Sequence, residues 1–91
     1  MEQSLLKRLC ITMFDIRMDF SDTKLTKIRK QYCIELCKEY LRFNKQDEII
    51  KDVLKHIKKF KVGTTDGRCF RDMKYNYNFL ERRYNLCIKG Y

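Results

Sequence analysis

Apolar residues return at intervals of three and four from near the start of the chain: Leu5, Leu6, Leu9, Cys10, Met13, Phe14, Ile16 and Phe20, with Ile11 and Met18 widening the face. That spacing predicts a helix, and the breadth of its apolar face predicts that it is largely buried. Ser21, Asp22 and Thr23 follow, and their short side-chain oxygens suit the unpaired N–H groups at the start of a second helix. The stripe of that helix is Leu25, Ile28, Tyr32, Cys33, Leu36, Cys37, Tyr40 and Leu41. It is expected to end near Phe43 and Asn44, because Asn tolerates left-handed backbone. In the third segment Ile49, Ile50, Val53, Leu54, Ile57 and Phe60 keep the helical spacing without a miss. Asp47 and Glu48 stand where a helix dipole favours anions, Lys55, Lys58, Lys59 and Lys61 toward the end where it favours cations, and Gly63 is the expected stop.

The last segment supports two readings. Met73, Tyr77, Leu80, Tyr84, Cys87 and Tyr91 have helical spacing, whereas Met73, Tyr75, Tyr77 and Phe79 alternate with Lys74, Asn76 and Asn78 as in a strand. The helical register runs longer, which favours a helix over about 72 to 88. In the other reading Phe60 to Val62 pairs with Arg68 to Arg71 as a hairpin about the Asp66-Gly67 turn. The expected fold is therefore mainly α, a single small helical domain over residues 1–91 built as a three- or four-helix bundle. Its expected core is Leu9, Met13, Ile28, Leu36, Ile50, Val53, Leu54, Ile57 and Leu80. The alternative is an α+β winged-helix-like domain with a C-terminal hairpin, residues 47–60 lying in the major groove and the turn at Arg68 reaching phosphate. That alternative is a fold-level analogy, and the long second helix departs from it.

Composition narrows the classes further. With 44% hydrophobic and 36% charged residues among 91, the chain is too apolar for a disordered segment. No apolar run approaches the roughly 20 residues of a membrane span. The opening Met1-Glu2-Gln3-Ser4, followed by Lys7 and Arg8 inside the first apolar stretch, lacks the layout of a secretory signal. An intracellular location, cytoplasmic or nuclear, is the expectation. Pro and Trp are absent and Gly occurs three times in a chain that otherwise reads as helical, which points to an AT-rich genome; the five cysteines add a hint of a eukaryotic or viral source.

Chemistry-bearing constellations are sparse. His56 is the one histidine, and no Ser, Cys or Asp at a local spacing marks a general-base pair with it. Gly63 and Gly67 frame Thr64, Thr65 and Asp66, but no Lys-Ser or Lys-Thr follows to make a phosphate-cradling loop. Cys33 and Cys37 share a helical face at a spacing that suits two metal ligands, with Cys69, Cys87 and His56 as further candidates. Against a metal, Cys10, Cys33, Cys37 and Cys87 fall within apolar stripes, where a free thiol behaves as a small hydrophobe, and an odd count fits a reducing compartment. The expectation is a non-enzymatic protein with no cofactor and no metal.

Charge gives the sharper lead. The 21 Lys and Arg against 12 Asp and Glu leave a net charge of +9, divided as −1 over residues 1–23, +5 over 24–45, +2 over 46–63 and +3 over 64–91. Such an excess in a small domain favours polyanionic partners. The leading expectation is a basic module binding DNA or RNA, its phosphate contacts from Lys24, Lys27, Lys30, Lys55, Lys58, Lys59, Arg68, Arg71, Arg82 and Arg83. Tyr75 and Tyr77, interleaved with Lys74 and Asn residues, are candidate stacking surfaces for unpaired bases. The competing expectation is a helical protein-interaction subunit or viral host-interaction factor that docks on a protein partner, or forms a homodimer, through Leu5, Leu9, Met13, Phe14 and Phe20.

Overall fold

The computed structural model describes residues 2–19, 21–62 and 74–86, and over these the protein is mainly helical. Its helices are α1 (Glu2–Met18), α2 (Thr23–Phe43), α3 (Glu48–Lys59) and α4 (Tyr77–Arg83). No strand occurs among the described residues. Phe60 and Val62, the first arm of the hairpin alternative, are the cap and turn that follow α3, and the second arm at 68–71 lies outside the described residues. No helix of the described residues is long and apolar enough to cross a membrane.

Helix ends are set by the short polar side chains. Asp22 caps α2 by accepting from the Leu25 N–H at 3.0 Å, Asp47 caps α3 from Ile50 at 3.1 Å, and Asn76 caps α4 from Phe79 at 2.9 Å. Asn44 does end α2, but not through left-handed backbone: its φ is −132°, and its side-chain amide and backbone N–H both donate to the Tyr40 carbonyl. The left-handed position is Asn85, φ 52°, after α4. There the Leu86 N–H returns to Glu81 O at 2.9 Å and the Asn85 N–H to Arg82 O at 3.3 Å, the paired bonds of a Schellman ending. This start and stop confine α4 to seven residues, well short of the 72 to 88 that the apolar spacing predicts.

One cluster of buried side chains joins the four described helices: Leu6, Leu9, Cys10, Met13 and Ile16 from α1; Cys33, Ile34, Leu36, Cys37 and Tyr40 from α2; Ile50, Val53 and Ile57 from α3; and Leu80 from α4. Leu54 packs at its edge, partly buried. Ile28 is the expected core residue that does not belong, being 60% exposed. The stripe through Ile28 and Tyr32 has the same spacing as Thr26, Cys33, Leu36, Cys37 and Tyr40, and α2 turns the second set inward. α1 likewise buries one face rather than its whole circumference, Arg8, Phe14 and Met18 remaining exposed. Cys10, Cys33 and Cys37 are free, fully buried thiols.

Candidate nucleic-acid interface

Lys27, Lys30, Gln31 and Ile34 follow one another at helical spacing and so lie along one side of α2. Opposite them runs the end of α3 with the chain that leaves it: Lys58, Lys59, Phe60, Lys61 and Val62. The two sides enclose an open groove of about 910 Å³. Among the described residues five lysines contribute to its lining and no carboxylate does. Lys27, Lys58, Lys59 and Lys61 are exposed on the rim. Ile34 and Phe60 are buried and form, with the half-buried Val62, an apolar floor.

The C-terminus of a helix is ordinarily a poor place for an anion, because its unpaired carbonyls carry partial negative charge. Here Lys30 reaches across from α2 and donates through Nζ to the carbonyls of Lys58, at 3.3 Å, and of Phe60. Those carbonyls are thereby paired and their charge offset, leaving Lys58 and Lys59 to present a positive field. Two of the three ammonium donors of Lys30 are engaged in this way, so its first role is to fasten α2 to α3.

The remaining predicted phosphate contacts lie elsewhere. Lys24 is exposed in the first turn of α2, before the groove begins. Lys55 lines a different depression with Glu48, Ile49, Lys51, Asp52 and Tyr75, where carboxylates balance its charge. Arg82 sits beside Asn78 and Glu81, and Arg83 lies over the Tyr84 ring, 5.6 Å from its centroid. Arg68 and Arg71 lie outside the described residues. Lys61, Gln31, Ile34, Phe60 and Val62 were not among the expected site residues; the helical offsets 27, 30/31 and 34 place Gln31 and Ile34 beside the lysines, but only the packing of α2 against α3 shows what they face.

No family model, curated protein or solved structure matches the chain.

The tyrosines proposed for stacking are occupied within the protein. Tyr77 meets Phe14 edge to face, centroids 5.2 Å apart at 81°, and its hydroxyl accepts from Arg17 Nη1 at 3.1 Å. Tyr75 leans on Phe79, centroids 5.0 Å apart, and neither ring lines the lysine groove. Most of the described residues of the expected docking face on α1 lie within the fold. Leu9 and Met13 are each 1% exposed because α2 and the α4 region cover them, and Leu5 packs partly buried on the same core. Phe14 is 40% exposed behind Tyr77, and Phe20 lies outside the described residues.

His56 and the three described cysteines are held by their surroundings, His56 Nδ1 lying 3.7 Å from Asp52 Oδ1. His56 Nδ1 donates to the Asp52 carbonyl at 2.7 Å, since a carbonyl oxygen can only accept. Burial, with the Glu81 carboxylate adding to it, pushes the Cys10 thiol up to about 12. Burial alone takes Cys37 up to about 12, and burial together with the neighbouring Cys37 and Cys10 raises Cys33 as well. Thiols so shifted stay protonated and are weak nucleophiles.

Proposed function

We propose that the protein is a non-enzymatic nucleic-acid-binding module that holds the phosphate backbone in the groove between α2 and the end of α3. One observation carries this reading: lysines about thirty residues apart in sequence line a single groove into which no carboxylate of the described residues projects. Lys27, Lys58 and Lys59 make no ion pair among the described residues, so their charge is not neutralised internally. Ammonium groups suit phosphate as compact point charges. The non-enzymatic part is supported by the buried, protonated state of the described thiols and by the use of Asp47 as a helix cap.

Binding of a labelled oligonucleotide, followed by fluorescence anisotropy as salt rises, tests the proposal. If Lys27, Lys58 and Lys59 each meet a phosphate, affinity for a single strand falls about 20-fold between roughly 50 and 200 mM salt. Affinity that is absent at the lower salt, or indifferent to salt, would overturn the reading.

A further inference from the structure

We infer that the occupant of the groove is a single-stranded nucleic acid, its phosphates on the lysine rim and its bases against the apolar floor; the inference rests on the nucleic-acid reading above. The floor is the first reason. Ile34 on the α2 side, and Phe60 and Val62 on the other, share the groove lining with the lysines. A duplex keeps its base faces stacked inside and presents phosphates and base edges, so an apolar floor offers it little, whereas an unpaired strand turns base faces outward.

The second reason is α3 itself. A helix that enters a major groove contacts base edges near its N-terminus while neighbouring groups meet phosphates. The N-terminus of α3 carries Asp47 and Glu48, both acidic. Its outer face presents Glu48, Lys51, Asp52 and Lys55, two of each sign, with Lys51 Nζ 3.3 Å from Glu48. That surface repels or ignores a duplex backbone, and the uncompensated charge lies instead in a concavity.

The test compares, with the full chain at about 50 mM salt, a labelled single strand of about 12 nucleotides, its duplex, and an abasic strand with the same number of phosphates. The base-bearing strand is expected to bind about tenfold more tightly than either of the others. Duplex binding as tight as or tighter than the single strand would overturn this inference while leaving the proposed function in place. Equal binding of the abasic strand would also overturn it, showing contact with polyphosphate alone. Absence of binding to all three would remove the proposed function, and this inference with it. Lys58→Glu with Lys59→Glu, exposed changes that leave the core intact, is expected to weaken the single strand at least tenfold; unchanged affinity would place the strand elsewhere on the protein.

Discussion

The Asp47 carboxylate serves three helices at once. It caps α3, accepts from the Tyr40 hydroxyl of α2 at 2.9 Å, and accepts from the Tyr84 hydroxyl, just past α4, at 2.7 and 2.9 Å on its two oxygens. Partial burial pushes its pKa up, but hydrogen bonds from Tyr84, the Ile50 N–H, Tyr40 and the Ile49 N–H outweigh burial and hold it below the usual carboxylate range. A folded value below the unfolded one means that the stabilisation is complete above about pH 4 and is lost as pH falls through the folded value. Tyr84 runs the other way: burial first, then its bond to Asp47, raise its pKa. Its contribution is complete below about pH 10 and fades as pH rises further. Asp47→Asn keeps an equivalent cap but removes the charge that the tyrosines address, and is expected to cost about 1 kcal/mol at neutral pH; Asp47→Ala removes cap and acceptor and is expected to cost about 2 kcal/mol or more. Urea unfolding at about pH 7 and about pH 3 checks both, and the gap between wild type and Asp47→Asn should narrow in acid. A gap that is constant across that range would mean that Asp47 carries no special charge interaction. The acidic start of α3 is legible in the sequence, because a carboxylate at a helix N-terminus has a local cause. Its tyrosine partners are not, since Tyr84 stands 37 residues away.

Elements end where a local side chain or a distant one supplies the missing hydrogen bond, and only the first kind is legible in a sequence. Asp22 and Asp47 mark the starts of α2 and α3 because the capping oxygen and the N–H it serves are three residues apart. Asn76 and Asn85 act by the same local rules at α4, yet the apolar spacing from Met73 to Tyr91 overruns both, because amphipathic periodicity registers faces and not ends. On α2 two overlapping stripes share one period, so periodicity alone assigns Ile28 to the core as readily as Thr26. The end of α3 is the distant case, capped by Lys30 from another helix. Lys30→Met keeps the aliphatic stem and deletes the ammonium, and is expected to cost about 1 kcal/mol and to speed amide exchange in the last turn of α3. Lys30→Arg retains donors and should lose less. An unfolding midpoint and exchange pattern unchanged in Lys30→Met would show that the cross-helix cap contributes nothing.

At the scale of the whole molecule, what matters is where the charge collects. The net +9 and the basic middle segment are readable directly, and Lys27, Lys30, Lys58 and Lys59 are apparent as cations of two amphipathic helices. The same reading takes in Lys55 and Arg82, which packing sets beside carboxylates, since sequence distance does not say which helix faces meet. The groove exists because α2 and α3 pack with their lysine-bearing edges adjacent and because Lys30 pairs the carbonyls between them. The most direct measurement is therefore a matched pair of charge reversals, titrated against the same oligonucleotide at about 50 mM salt. Lys27→Glu, Lys58→Glu and Lys59→Glu alter the groove, while Lys55→Glu, Arg82→Glu and Arg83→Glu make the same change in net charge outside it. The groove variant is expected to lose affinity by about two orders of magnitude and the control by a few-fold. Equal losses in the two variants would show a diffuse positive surface with no groove-centred site, and would contradict the proposed interface.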